Sequence, residues 1–343
     1  MLLRSLTIVC LMLSATALPA QETATAMADA ANKFLAALTP AERAKVVRKF
    51  DDPARLDWHN IPKPERKGLQ IREMSAELRK LAHNLLAASL SPSGYEKAVK
   101  IMSLENNLLI GEQGQKGTPF RDPERYFLTI FGEPSAKGQW GYSFEGHHLS
   151  LNFAVDEGKV VGDSPSFWGA NPATVSIFIE GGPKTGTRTL AAEEQLAFDL
   201  LGSLNEAQRT KAIIAKEAPA DYRAAGEPKP PLSAPEGVPA SELTEAQQKT
   251  LWSLLETYTG HLTPEVADAR RAEIKAAGLE KLHFAWAGAT QPGVGHYYRV
   301  QGPTFVLELI NVQSDPAGNK ANHIHSVWRS LTKDFGVPVT AAK

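Results

Sequence analysis

The feature that most constrains this chain is that it is written twice, as an internal repeat with matched landmarks in the same order. Phe34-Leu-Ala-Ala-Leu-Thr-Pro-Ala-Glu-Arg-Ala-Lys-Val-Val47 runs parallel to Leu200-Leu-Gly-Ser-Leu-Asn-Glu-Ala-Gln-Arg-Thr-Lys-Ala-Ile213. Each reads as a helix end, an N-cap at Thr39 or Asn205, and a new amphipathic helix with Glu42 or Gln208 at its third position. Glu73-Met74-Ser75 matches Glu242-Leu243-Thr244, and the helices that follow share leucines at Leu85-Leu86 and Leu254-Leu255. Leu90-Ser91-Pro92 matches Leu262-Thr263-Pro264, each a hydroxyl cap with proline at the first helical position. The segment 127–152 then aligns without a gap on 283–308. This places Gly132 on Gly288, Tyr142 on Tyr298, Glu145-Gly146 on Gln301-Gly302, and Leu151 on Leu307. After a loop of different length, Ser166-Phe167-Trp168 falls on Ser326-Val327-Trp328.

Helices followed by strands, repeated, predict an α+β fold built by tandem duplication. Repeat one spans 31–175 and repeat two 190–336, each a helical front with a small antiparallel sheet. The two are expected to pack about a pseudo-twofold axis as one compact unit. The period-2 segments predict strands at 126–131, 139–145, 147–155 and 159–161 in the first copy. In the second copy they fall at 282–287, 296–301, 304–313 and 322–328, with Gly146 and Gly302 at hairpin turns. Segment 219–239, carrying Pro228, Pro230, Pro231 and Pro235, predicts a loop or crossing arm, and 111–123 a second long loop.

Residues 1–20 read as a secretory signal peptide: a basic start, an apolar run from Leu6 to Leu13, then small residues to Ala20. The expected location is periplasmic or secreted. The only cysteine, Cys10, lies in that leader, and Val9 before it does not suit a lipoprotein site. Cleavage leaves a chain with no disulfide, no thiolate nucleophile and no cysteine-ligated metal. Lysine plus arginine number 37 against 38 for aspartate plus glutamate, with no basic block, so nucleic acid is not an expected partner. No later apolar run reaches the length of an integral membrane segment.

Where the copies differ, histidines collect. Gly146-His147-His148 stands where the second copy has Gly302-Pro303-Thr304, and Asn322-His323-Ile324-His325 where the first has Gly162-Asp163-Ser164-Pro165. His296 replaces Trp140, His283 replaces Phe127, and Glu308 replaces Asn152. On a strand His323 and His325 point the same way about 7 Å apart, within reach of one ion. Strand alternation also puts His148, Ser150 and Asn152 on one face and His147 with Leu149 and Leu151 on the apolar one. Glu308, flanked by Val306 and Ile310, needs a partner, a proton or a metal. Imidazole and carboxylate ligands without sulfur suit zinc, copper, iron or manganese. The plainer reading of each residue is structural: His147 a hydrogen-bonded core histidine, Glu308 an ion-pair partner of Arg299 or Arg329, and the aromatic residues packing. No nucleophile elbow, metalloprotease helix, P-loop or dinucleotide fingerprint occurs.

The strings Glu145-Gly-His-His-Leu-Ser-Leu-Asn-Phe153, Ser164-Pro-Ser-Phe-Trp-Gly-Ala-Asn-Pro172, His283-Phe-Ala-Trp-Ala-Gly288, His296-Tyr-Tyr-Arg-Val-Gln-Gly-Pro303 and Ala321-Asn-His-Ile-His-Ser-Val-Trp-Arg329 resemble the family called domain of unknown function 3500. The resemblance runs from about Ala31 to Gly336 and implies a secreted or periplasmic bacterial protein. It brings no activity, substrate or catalytic residue. One departure from the family's pattern is visible: Leu309-Ile310 stand where an acidic or polar residue is expected.

The reading that follows is a metal-dependent enzyme, hydrolase or oxidoreductase, with one site between the repeats and an unidentified small-molecule substrate. His148, His323 and His325, with Glu308 or His296, are its expected ligands. His147, Asn152, Tyr298, Arg299 and Trp328 are expected to orient those ligands or to contact the substrate. The alternatives are a non-catalytic binding protein with structural histidines, its pocket lined by Trp286, Tyr298 and Trp328, and a metal-free hydrolase using His148 or His325 as general base.

Overall fold

A computed structural model describes residues 23–112 and 121–340. The leader, and residues 113–120 of the expected loop at 111–123, lie outside the described residues. Eight α-helices occur among them: α1 (Thr23–Ala36), α2 (Pro40–Val46), α3 (Ala76–Ser89), α4 (Pro92–Gly111), α5 (Ala191–Ser203), α6 (Glu206–Ala212), α7 (Glu245–Thr259) and α8 (Pro264–Ala277). The expected starts hold. Thr39 and Asn205 each close a reciprocal capping box with Glu42 and Gln208, while Ser75, Ser91 and Thr244 cap their helices through the side chain. Thr263 is the exception: its hydroxyl meets Thr23 Oγ1 at 2.8 Å instead of capping α8.

Thirteen strands form one mixed sheet. They are β1 (Val47–Arg48), β2 (Leu69–Gln70), β3 (Phe127–Gly132), β4 (Trp140–Gly146), β5 (Leu149–Asp156), β6 (Lys159–Gly162), β7 (Ser166–Ala170), β8 (Ile213–Ala215), β9 (Val238–Pro239), β10 (His283–Gly288), β11 (His296–Gln301), β12 (Phe305–Gln313) and β13 (His323–Ser330). The main path runs β1-β3-β4-β5-β7-β13-β12-β11-β10-β8, with β2 on β3, β6 on β5 and β9 on β10. Among the described residues only β1–β3 and β8–β10 are parallel. Two separate antiparallel sheets were the expectation; β7 and β13 instead pair with each other, removing the two exposed edges that separate sheets would have left. In that pairing Phe167 faces Val327, Trp168 faces Ser326 and Ser166 faces Trp328. Leu90 and Leu262 likewise bridge to each other.

Alternation along the strands gives the sheet two different faces. One presents Tyr142, Phe144, Leu151, Trp168, Leu307, Leu309, Tyr298 and Trp328 to the helices, forming the main core. The opposite face carries Phe167, Tyr297, Ile310 and Val327, covered by Trp58 and Tyr222 from two irregular segments at 49–68 and 216–237. Trp58 Nε1 donates to the carbonyl of Glu227 at 2.8 Å, tying the two segments together. Burying each large side chain contributes about 1.5–3 kcal/mol, against about 1 kcal/mol for a helix cap, so packing holds the sheet while the caps fix its helix starts.

Candidate metal centre

Two short stretches of chain deliver the centre. His147 and His148 are the two turn residues between β4 and β5, not the start of the expected strand at 147–155. The apolar-face placement of His147 beside Leu149 therefore does not hold, because neither turn residue follows strand alternation. His148 takes a left-handed backbone, φ 61°. Its N–H donates to the Asn60 carbonyl at 2.9 Å and its carbonyl accepts from Gly169 N–H at 2.7 Å, so both sides of the strained residue are anchored. Gly146 before it has no room for a side chain: a Cβ would fall 2.5 Å from the Tyr126 ring. The Tyr126 hydroxyl in turn donates to the His147 carbonyl at 2.6 Å.

The second stretch is the start of β13, where His323 and His325 share the face turned away from the helices. Across the ladder from His325 stands Gly169, and a Cβ there would sit 3.0 Å from the His148 ring. Gly169 therefore leaves the space through which His148 reaches His325. The His148 ring stacks on His147 with centroids 3.7 Å apart, and Phe167 packs edge-on against His325.

The three Nε2 atoms converge on a small triangle. His148 to His323 is 2.8 Å, His323 to His325 is 3.0 Å, and His325 to His148 is 3.3 Å. An ion held at about 2.0–2.1 Å in tetrahedral geometry needs ligand nitrogens about 3.3 Å apart, so the triangle is close to one face of such a site. Protons satisfy it poorly. Each neutral imidazole has one N–H, and any edge left between two bare lone pairs is repulsive, whereas a cation engages all three at once. Among the described residues this is the group of three whose ligand atoms lie within 4.8 Å of one another. His148 and His325 are buried and His323 half-buried.

Electrostatics points the same way. Burial, then the neighbouring imidazoles His147, His323 and His325, push His148 well below the ordinary histidine range. Burial, then His325 and His147, lower His323 to about 2. Both rings are thus neutral and free to offer a lone pair at ordinary pH. His147 is also lowered by burial, against the opposing pull of Glu105.

The outer nitrogens are held as well. His325 Nδ1 lies 3.1 Å from Asp221 Oδ1. His323 Nδ1 lies 3.2 Å from the Asn171 side-chain amide, whose Oδ1 is buried without a partner. Turning that amide over would give the ring N–H an acceptor and satisfy the orphaned oxygen together.

The other expected residues are not brought to the triangle. Glu308 shares a face with His325 but accepts from Tyr297 Oη at 2.5 Å and from Arg223 N–H at 3.3 Å; burial, opposed by these bonds, raises its pKa. His296 is on the opposite face, stacked on Trp286 with Nε2 3.2 Å from Glu194. Burial acts to raise the Glu194 pKa, but hydrogen bonds from His296 and Asn311 outweigh it and hold it at about 2. Tyr298 meets Tyr258 at 2.6 Å, and Trp328 stacks on Phe305, both among the helices. Arg299 pairs with Glu236 at 2.6 Å, and Asn152 donates to the Pro165 carbonyl at 3.0 Å. His147 alone of the second group adjoins the triangle, held by Glu105 and by Arg121 at 3.0 Å. Sequence reasoning missed Asp221, Asn171, Asn60 and Gly169. Only the last had a local signal, a glycine inside a strand, which marks close approach of other atoms.

The sequence profile of the family described as "Protein of unknown function (DUF3500)" matches residues 20–337, nearly the whole chain. The chain belongs to the DUF3500 family. No curated protein and no solved structure matches it. Family membership agrees with the resemblance carried by the histidine-bearing strings. Among the described residues no helix is long and apolar enough to cross a membrane.

Proposed function

We propose that this DUF3500 chain is an exported, metal-dependent enzyme in which His148, His323 and His325 hold one divalent transition ion. The observation that carries this is the buried triangle of three Nε2 atoms at 2.8–3.3 Å. Three imidazoles with no sulfur and no carboxylate favour zinc or copper over manganese. Neutral ligands leave the full double charge on the ion. A zinc ion held there would supply Lewis-acid chemistry and an activated water near neutral pH, the chemistry of a hydrolase, while copper would supply redox chemistry. The residues of this chain would fix the rings, with Phe167 packed against His325, and a fourth position would be taken by water or substrate. Export is read from the leader at residues 1–20.

The tandem duplication belongs to the same proposal, with repeats at 31–175 and 190–336 and a pseudo-twofold axis through the β7–β13 pair. Its support is the strand order, which reads alike from both ends, together with matched residues that face each other: Phe167 with Val327 and Leu90 with Leu262.

Loading with cobalt(II) tests the coordination. An intense tetrahedral visible spectrum that shifts on adding azide is the expected result, since an anion takes the open position. A cobalt spectrum indifferent to azide would mean a closed, structural site and would overturn the enzymatic reading.

A further inference from the structure

Resting on the metal reading, we infer that Asp221-Tyr222-Arg223, a three-residue stretch of the arm at 219–239, is the positioning device of the centre, with Asp221 its principal residue. The arm belongs to the second half of the chain but crosses the face of the sheet on which the triangle lies. Its three consecutive residues make three different attachments there.

Asp221 Oδ1 sits 3.1 Å from His325 Nδ1. A carboxylate only accepts, so this contact places the ring proton on Nδ1 and leaves Nε2 bare toward the other two rings. The Tyr222 hydroxyl donates to Asn60 Oδ1 at 2.7 Å. Asn60 is the residue whose carbonyl takes the N–H of His148, so Tyr222 acts on the left-handed turn through one intermediary. Arg223 N–H donates to Glu308 at 3.3 Å, tying the arm to the middle of β12. Tyr222 also packs against Phe167 and Trp58, with ring centroids 5.4 and 6.5 Å away. One short segment thereby sets the tautomer of a ligand from one half of the chain and the backbone of a ligand from the other. Asp221 touches neither ion nor substrate; it works through His325.

Glu308 acquires a role from this that differs from the ligand role expected of it. Buried on the same face as His325, it takes the Tyr297 hydroxyl and the arm's backbone N–H, and so anchors the arm.

The test reads the imidazole nitrogens of His325 by 15N NMR in the untagged, metal-free protein, and zinc affinity by competition with a chelating dye. In the parent, His325 is expected as the Nδ1–H tautomer. Asp221→Ala should release that preference and weaken zinc binding 10- to 100-fold, as loss of a ligand's outer partner does. Asp221→Asn, which keeps an acceptor oxygen, should recover much of the affinity. Tyr222→Phe should weaken zinc binding in the same direction by less. Asp221 is partly exposed, so the metal-free melting temperature of Asp221→Ala should stay within about 2 °C of the parent. An unchanged Nδ1–H tautomer in Asp221→Ala, or unchanged zinc affinity in a parent that binds zinc, overturns the inference. A tautomer that responds to Asp221 in a protein that never binds zinc upholds the orienting role and overturns the metal reading instead.

Discussion

At one end of the β7–β13 pair three imidazoles meet, while at the other Asp163 and Arg270 close an ion pair. In the proposed repeat alignment these ends correspond: Thr304 stands for His148, Asp163 for His323 and Pro165 for His325. At the second end Arg270 lies 2.5 Å from Asp163, also donates to its carbonyl, and spreads its guanidinium 4.5 Å over the Trp328 ring. These residues line a cleft of about 80 Å³ with Thr304 and Phe305. The difference lies in where the positive charge comes from. At the Asp163 end it is a side chain, so the site is complete in the chain itself. At the histidine end neutral donors converge and, among the described residues, no cationic side chain bonds to any of the three rings, Arg121 bonding to the neighbouring His147 instead, so that end is the one suited to bind an ion.

The largest effect that would break this contrast is loss of metal from one end only. Metal-reconstituted, untagged protein should carry about one ion per chain by elemental mass spectrometry. The His323→Ala/His325→Ala double variant should carry close to none. An undiminished content in that variant places the ion elsewhere.

Next in size is the converse change at the other end. Arg270→Ala leaves Asp163 without its cation and strips the Trp328 ring. Breaking a buried pair costs about 3–5 kcal/mol, and the partly exposed Asp163 reduces that to roughly 1–3 kcal/mol. Urea unfolding should show this loss while metal content stays at the parent level. A simultaneous loss of metal would mean that the two ends are not independent.

Gly169→Ala sharpens the contrast within the histidine end. Its methyl would meet the His148 ring at 3.0 Å and the Phe167 ring at 3.1 Å. Overpacking of this kind costs about 1–3 kcal/mol and should displace His148, weakening zinc on the order of tenfold. Calorimetric titration reads the affinity; an unshifted value would show that His148 does not need that space.

The smallest effect is on pH. His148 and His323 are lowered in the fold and regain their ordinary pKa near 6.5 when unfolded. Their neutral forms therefore stabilise the fold above pH 6.5. As pH falls below 6.5 the unfolded chain takes up protons that the folded one refuses, and stability declines by up to about 1.4 kcal/mol per pH unit for each group. Denaturation of the metal-free protein at pH 7.0 and 5.5 should show the decline, and His323→Ala should reduce it. A flat profile over that window would contradict neutral burial of these rings.

How much of this was legible in the sequence follows from what each feature depends on. Helix starts at Thr39 and Asn205 were readable because capping is local. The eight expected strands were readable within a residue or two, and His323 with His325 followed from period-2 alternation, but the short strands β1, β2, β7, β8 and β9 were not expected. The turn at His147-His148 was not, since a left-handed residue there depends on Asn60 and Gly169, remote in sequence. The single sheet was hidden for a similar reason: β7, Ser166–Ala170, is short, and its pairing with β13 spans more than 150 positions. His296 was expected at the site because it differs from Trp140 in the aligned segment, a difference that says nothing about which face a residue occupies; it shares its face with Tyr298 and meets α5. Asp221 lies in a proline-rich arm whose sequence carries no sign of what it touches.

The most direct test of the account is a crystal structure of the zinc-soaked protein, with anomalous data collected at the zinc edge. The account predicts one strong peak about 2.0–2.1 Å from Nε2 of His148, His323 and His325, with a non-protein fourth ligand. A protein that takes up zinc yet shows no peak at that triangle would contradict it.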